Sequence, residues 1–259
     1  MELSASLVLY RNNPEVVRRA VMSLLNTPIK ISLSVVDNSP LPELAQLFED
    51  LEDFKVDYFY NNGENVGFGK AHNLALRRVQ KCDYHLVMNP DVYFEENVII
   101  ELIEYLKDHQ DVGLVGPKVY EENGEIQYVC RRYPTVWALL VKRFTPKRLK
   151  FLFQKTIDWY EMRDTGYNQI MEAPVIGGCF MLFRRKCLDE IGYFDENIFM
   201  YFEDYDLTVR MAKKYKAMFY PFVHIHHLAG RGAYKSIKLA TIFMLSGMYF
   251  FSKHGWRLF

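Results

Sequence analysis

Nothing in these 259 residues looks like a disulfide framework, a membrane span or an electrostatic net for nucleic acid. The four cysteines, Cys82, Cys130, Cys179 and Cys187, include no Cys-x-x-Cys pair, so the usual zinc and redox spacings are absent. Reduced thiols are expected, and with them a cytoplasmic location, with the inner face of the cell membrane as the variant of it. Lys plus Arg and Asp plus Glu both number 32. With no net charge there is no global field to recruit a polyanion, and nucleic acid is not an expected partner. Residues Leu3 to Tyr10 are largely apolar but stop at Arg11-Asn12-Asn13, too short for a secretory signal. The longest apolar run, Leu239 to Phe251, falls below the about 20 residues of a membrane-spanning helix. It contains Ser246 and Gly247 and ends at Lys253 and His254, which suits a buried or interfacial helix.

Several chemical signatures are missing too. Asn65-Val66-Gly67-Phe68-Gly69-Lys70-Ala71-His72 has histidine where a dinucleotide fingerprint has its third glycine, and it is no P-loop. No convincing Ser-His-Asp or Cys-His set appears, and no His-Glu-x-x-His. What is present is a chain that is 50% hydrophobic and 15% aromatic, enough for a real core. Its first half alternates between two periods. Strand-like runs at 4–10, 31–36, 56–60, 85–88 and 112–115 are separated by helical patterns, such as Val17, Val21, Leu24 and Leu25 after Pro14. That order predicts an α/β fold with a mostly parallel sheet and helices on both faces. Ligands of such sheets sit beyond the carboxyl ends of the strands. Asp37, Asn65 and Asp91 each follow a strand, so they are expected on one edge.

After Pro117 the pattern loosens. Asn123-Gly124 marks a hairpin turn. A strand is expected at 177–183, helices at 185–191 and 204–215, an extended segment at 223–226 and a helical tail at 234–254. Three polar constellations stand out. Asp91 in Asn89-Pro90-Asp91 is either a turn residue or a ligand for a hard divalent cation, which takes one or two carboxylates and completes its shell with substrate oxygens. His224-x-His226-His227 is either a set of strand histidines or the source of an imidazole ligand. Glu203-Asp204 either meets the positive end of a helix dipole or supplies a base whose pKa is raised by its aromatic surroundings. Asp206 stands four residues before Arg210 and is read as structural.

Taken in order, these pieces resemble glycosyltransferase family 2, with its GT-A fold. The resemblance runs through Ser6 to Tyr10, Val36-Asp37-Asn38-Ser39, Asn65-x-Gly67-Phe68 with Asn73, Asn89-Pro90-Asp91, Gly177 to Leu182, Gly192 to Glu196, Glu203-Asp204-x-Asp206 and the His226 region. Bacterial rhamnosyltransferase-like members are the nearest in pattern, Arg132-Tyr133-Pro134-Thr135 included. The resemblance implies a GT-A domain over residues 1–232, with a nucleotide-binding half to about 117 and an acceptor half beyond it, and a C-terminal helix at 233–259. It implies an inverting transfer in which Asp204 is the base and Asp91 and His226, with His227 close enough to take its place, hold Mg²⁺ or Mn²⁺. Tyr10, Asp37, Asn65, Gly67, Asn73, Asn89 and Asp91 would bind the donor; Arg131, Arg132 and Glu203 would meet the acceptor or a phosphate. Asn89 stands where the family's metal motif has its first aspartate, a departure from that motif.

The donor suggested by resemblance is dTDP-L-rhamnose, with UDP-galactose, UDP-glucose or UDP-galactofuranose as the alternative. The acceptor would be a glycan or lipid-linked saccharide of a surface polysaccharide such as O-antigen. The stretch 141–155 mixes Lys142, Arg143, Lys147, Arg148, Lys150 and Lys155 with Phe144, Phe151, Leu152 and Phe153. It reads as a solvated helix face or as an attachment to an anionic leaflet, and the tail helix as an interfacial anchor or a homodimer surface. A nucleotidyltransferase and a non-catalytic glycan-binding protein are the rival classes.

Overall fold

The computed structural model describes residues 2–49, 51, 54–79, 82–228 and 237–259. Strand β1 (Glu2–Leu9) leads into helix α1 (Pro14–Leu25). That helix begins where it does because the Asn13 side chain accepts from the Glu15 and Val16 amides and Pro14 needs no amide of its own. Its Val17, Ala20, Val21, Leu24 and Leu25 are buried. There follow β2 (Lys30–Asp37), α2 (Ala45–Glu49), β3 (Val56–Tyr60), α3 (Phe68–Arg78), β4 (Tyr84–Met88), β5 (Val92–Phe94), α4 (Asn97–Asp108) and β6 (Val112–Tyr120). The second half holds β7 (Cys130–Arg131), α5 (Val136–Phe144), α6 (Gln154–Tyr160), β8 (Met171–Glu172), β9 (Val175–Ile176), β10 (Phe180–Arg184), α7 (Arg185–Ile191), α8 (Glu203–Met211), β11 (Lys216–His227) and α9 (Ile237–His254).

The main sheet has the order β3-β2-β1-β4-β10-β6-β11-β5, with β8 alongside β11. Strands β1 to β4 pair in parallel, as do β6 and β11, while β10 runs antiparallel between β4 and β6. The alternating first half therefore folds as expected. Its interior carries an unexpected polar layer: Ser4 and Ser6, on one face of β1, meet His85 of β4 and His72 of α3 at 2.7–3.0 Å. Cys130, Cys179 and Cys187 are buried thiols.

A second, smaller core lies beside the sheet. Ala138, Leu139, Tyr160, Phe202, Phe250 and Phe251 form it, drawn from α5, α6, α8 and α9. The chain end closes it: the Arg257 and Leu258 carbonyls accept from the Val136 and Trp137 amides at 2.8 and 3.1 Å, satisfying two of the donors that the start of α5 leaves open. The expected boundary at 232/233 and the expected helix start at 234–236 lie outside the described residues. From Ile237 on, the tail is helical as read, but it packs on the segment before α8. Among the described residues no helix is long and apolar enough to cross a membrane.

Candidate active site

β4 ends at Met88, and the chain turns through Asn89-Pro90-Asp91 into β5. β5 pairs antiparallel with the end of β11, with His226 opposite Tyr93 and His227 opposite Val92. Along a strand successive side chains face opposite ways, so the two histidines separate. His226 stacks on Tyr93 with ring centroids 4.9 Å apart, and the Arg19 guanidinium covers that ring on the outside of the sheet edge. His227 takes the other face, where its Nε2 is 3.2 Å from Asp91 Oδ1 and 3.3 Å from Asn89 Nδ2. The histidine beside Asp91 is therefore His227, not His226. Gln127 Oε1 lies 2.8 Å from His227 Nδ1 and fixes the ring. Burial alone would lower the His227 pKa, but the Cys179 sulfur and the Asp91 carboxylate outweigh it and raise it to about 10.

On the far side of the same cavity stands the start of α8. Tyr201 and Phe202 both carry positive φ, 66° and 68°, a conformation that costs non-glycine residues of order 1–3 kcal/mol each. The turn is held because Phe202 is buried against Phe243 and Phe250 and Ser246 of α9 donates to the Met200 carbonyl at 2.9 Å. It presents Glu203 and Asp204 on the first turn of α8. Asp204 Oδ2 accepts from the Gly178 amide and Oδ1 from its neighbour Tyr205, both at 2.9 Å. Burial raises its pKa, while those two amides and Arg131 pull it back only in part. Burial and then the Asp204 charge drive Glu203 well above the carboxylate range, and its Oε2 has no partner among the described residues. Both carboxyls are thus pushed toward their protonated forms, Glu203 more than Asp204, whose two amide hydrogen bonds favour its charged form.

Asn89, Asp91, Arg131, Glu203, Asp204 and His227 all line one cavity of about 480 Å³. Lys142 and Arg143 of α5 complete a cationic wall. Arg131 donates to the carbonyls of Tyr128 and Cys130, and Lys142 pairs with Glu161 at 2.8 Å. Burial and then the Arg131 charge lower the Lys142 pKa to about 8. Arg132 turns away: it forms a two-pronged pair with Asp164 at 2.6–2.8 Å. Asp206 also turns away, onto Arg210, Lys253 and His254 at 2.7–2.8 Å, which is the structural role expected of it.

The remaining donor candidates sit at the β1–β3 edge and do not line this cavity. Tyr10 is 46% exposed. Asp37 is fully buried, its carboxylate taken by the Tyr58 hydroxyl and the Ser39 amide at 2.7 and 2.8 Å, so as placed it organises the turn after β2. Asn65 accepts from the Gly67 amide at 3.0 Å. Gly67, at φ 89°, lets Phe68 donate to the Phe199 carbonyl; a Cβ there would lie 2.2 Å from that oxygen. The amide group of Asn73 is spent on the backbone of Phe194 at 2.9 and 3.1 Å and on Glu196. Asn65, Gly67 and Asn73 therefore tie α3 to the segment leading into α8. Gln127, Lys142 and Arg143 were not among the expected site residues; each acquires its position from pairings distant in sequence.

A mixed sheet of this order, with an acid and a histidine at its strand ends facing a second carboxylate across a cleft, is the GT-A architecture of a sugar-transferring enzyme. The family model for Glycosyl transferase family 2 matches residues 7–192, and the chain belongs to that family; it is a glycosyltransferase. It is 25% identical over 244 residues to an N-acetylglucosaminyl-diphospho-decaprenol L-rhamnosyltransferase of Mycobacterium tuberculosis, covering 86% of this chain and 75% of that relative. It is also 25% identical over 208 residues to the rhamnosyltransferase WbbL of Escherichia coli, covering 74% and 70%. Among solved structures it resembles GalNAc-T7 with UDP, GalNAc and Mn²⁺ (TM-score 0.66, 13% identity, 98% of this chain and 55% of that one). It also resembles a Pyrobaculum calidifontis mannosyltransferase with GDP-Man and Mn²⁺ (0.62, 15%, 90% and 58%) and residues 1–349 of S. aureus TarS (0.59, 16%, 88% and 60%). The chain thus spans 55%, 58% and 60% of the length of these structures, and at these identities they speak for the fold alone.

Proposed function

We propose that this chain is an inverting transferase that moves a deoxyhexose, L-rhamnose from a dTDP donor, onto a lipid-linked saccharide during surface polysaccharide synthesis. The observation that carries the reading is the convergence of Asp91, His227 and Asp204 on one cavity from three distant parts of the chain. The naming of two rhamnosyltransferases among the relatives supports the sugar, and the decaprenol diphosphate in one of those names supports the acceptor class.

In this reading an acceptor hydroxyl lies against Asp204. Its oxygen attacks the anomeric carbon as its proton passes to the Asp204 carboxylate. The carbon–oxygen bond to the nucleoside diphosphate breaks on the opposite face, its electron pair leaves with the diphosphate, and the configuration inverts. The Gly178 and Tyr205 amides hold the carboxylate in one orientation, and its raised pKa makes it a better proton acceptor than an exposed aspartate. Protonated Glu203 adds no second negative charge beside the incoming oxygen.

A divalent cation would fit Asp91 and His227 provided that the imidazole gives up its Nε2 proton to make room for it, since only the neutral ring can ligate. Their donor atoms are 3.2 Å apart, close to the about 3 Å edge between neighbouring ligands of an octahedral ion with bonds near 2.1 Å. Substrate oxygens and water would complete the shell, since no cluster of three or more His, Cys, Asp or Glu ligands occurs among the described residues. Such an ion would neutralise charge on the departing diphosphate. The exposed Tyr10 offers a ring for the nucleotide base.

The test is a panel of nucleotide sugars scored by thermal stabilisation with and without Mn²⁺. The reading expects dTDP-rhamnose to stabilise most, in a Mn²⁺-dependent way that His227→Ala removes and His226→Ala does not. A stronger response to UDP-hexoses would replace the donor, and no response to any nucleotide sugar would end the reading. Asp204→Asn is expected to keep donor binding while losing about 10²–10⁴-fold in transfer rate.

A further inference from the structure

The cavity does not end at its cationic wall. Leu139, Phe202 and Phe243 separate it from a shallow groove, lining both, and that groove presents no polar surface. Leu140 of α5, Met244 and Met248 of α9 and Trp256 line it, each between 40% and 56% exposed. Two helices put groove and wall side by side. On α5, Leu139 and Leu140 precede Lys142 and Arg143 by three residues, about one turn and 4.5 Å along the axis. On α9, Phe243 faces both spaces, and Met244 and Met248, four apart, continue the apolar side. A path over Leu139, Phe202 and Phe243 therefore meets bare hydrocarbon surface first, then Lys142, Arg143 and Arg131, and then Asp204. Arg131 donates to two backbone carbonyls and feels the Glu161 carboxylate, which Lys142 pairs with directly; with Arg143 the three cations of the wall outnumber that carboxylate.

We propose that this path is the acceptor subsite: the groove seats the hydrocarbon chain of an amphiphilic acceptor, its phosphate groups lie on Arg131, Lys142 and Arg143, and its sugar reaches Asp204. This rests on the transferase reading above and adds to it where each part of the acceptor lies. The order of surfaces decides the occupant. A ligand filling all three zones must be apolar, then anionic, then hydroxylated. A second protein copy covering the groove would use the first zone only and would stand over the mouth of the site.

Isothermal titration of the full chain, saturated with the nucleoside diphosphate that stabilises it best so that the donor position is filled, tests this with three probes. They are farnesyl diphosphate below its micelle concentration, farnesol and inorganic diphosphate. The proposal expects farnesyl diphosphate to bind at least tenfold more tightly than either of the others. Met244→Glu or Met248→Glu, both at exposed positions that the fold tolerates, should collapse the advantage over inorganic diphosphate. Lys142→Gln should collapse the advantage over farnesol. Equal binding of farnesyl diphosphate and inorganic diphosphate, or undiminished binding to both groove variants, overturns the proposal. Nucleotide-dependent stabilisation in the same samples separates that failure from failure of the transferase reading.

Discussion

At the centre of the sheet Ser4 and Ser6 meet His85 and His72 as neutral pairs, whereas the core around α9 gathers a cluster of buried charge. There Asp206 has no exposed surface and faces Arg210, Lys253 and His254. Lys253 reaches on to Asp195 at 2.7 Å. A neutral network inside a sheet costs less than a buried charge even where, as at His72 Nε2, one ring nitrogen has no partner among the described residues. A buried carboxylate is tolerable only with its partners in place, so it fixes one docking of α9 on α8 and penalises others. That docking matters because the left-handed turn at Tyr201-Phe202, which aims Glu203 and Asp204, leans on α9 through Phe243, Ser246 and Phe250. The sheet supplies a rigid edge for Asp91 and His227; the smaller core holds strained backbone beside Asp204.

The sharpest way to break this contrast is Asp206→Ala. Removing one member of a buried ionic cluster leaves the others uncompensated, and a loss of about 3–5 kcal/mol is expected. Hydrogen exchange should show the loss first in α9 and in the 199–204 segment, with β1 and β4 protected longest. Transfer activity should fall at temperatures where the sheet is still folded. If α9 and the sheet lose protection together, the two halves are one cooperative unit and the contrast fails.

Acid separates the halves from the other side. Burial lowers the His72 pKa to about 3 and lowers that of His85 well below its ordinary value. An unfolded histidine titrates near 6.5, so below that pH the unfolded chain takes up protons that the native sheet refuses. Stability is therefore full above about 6.5 and declines as pH falls toward the folded values. At pH 5.5 each site costs about 1.4 kcal/mol, about 3 kcal/mol for both. The Asp206 cluster responds in the same direction but in a lower pH window. Burial opposes ionisation there, but Arg210, Lys253 and His254 prevail and lower its pKa below 3.8, so its contribution persists down to that range. The melting temperature should thus drop between pH 7.5 and 5.5. The drop is smaller than His72 and His85 alone would give, because His227, with its raised pKa, gains stability on acidification over that interval. Asp206→Ala, acting elsewhere, should shift the curve without changing its slope. A flat profile over that interval would contradict the neutral-pair account of the sheet.

The sequence made the first of these halves readable and obscured the second for a definable reason. Strands β1 to β4 and their helices carry regular periods, and Asp91 falls at a strand end that the periods locate. The choice of histidine was also readable. Ala217, Phe219, Val223 and Ile225 are buried and share odd numbering along β11, which assigns His227 to the inward face and His226 to the outward one. What no period reveals is the partner of an apolar tail: α9 looked like an anchor or a dimer surface, and its packing on Phe202 depends on contacts across dozens of residues. Asn73 is no more readable, since an amide beside a glycine-rich turn suits a ligand as well as it suits the Phe194 backbone to which it is bonded.

The smallest effect expected concerns the one place where the two halves touch the base together. Gly178 lies just before β10, on the sheet side, yet its amide holds Asp204 of the smaller core. A Cβ at this position would come 3.3 Å from Asp204 Cβ and 3.6 Å from its Oδ2, close enough to push the carboxylate by a few tenths of an ångström without unfolding anything. Gly178→Ala should therefore leave the melting temperature within about 2 °C, since changes of about 0.5 kcal/mol or less move it little in a chain of this size. It should lower kcat by a few-fold while sparing donor affinity. Because the Gly178 amide is the strongest influence pulling the Asp204 pKa down against burial, lengthening that bond should also move the acid limb of the pH–rate profile upward. A rate loss with an unmoved limb would mean that Gly178 only shapes the cavity, and that Asp204 is aimed by α8 and α9 alone.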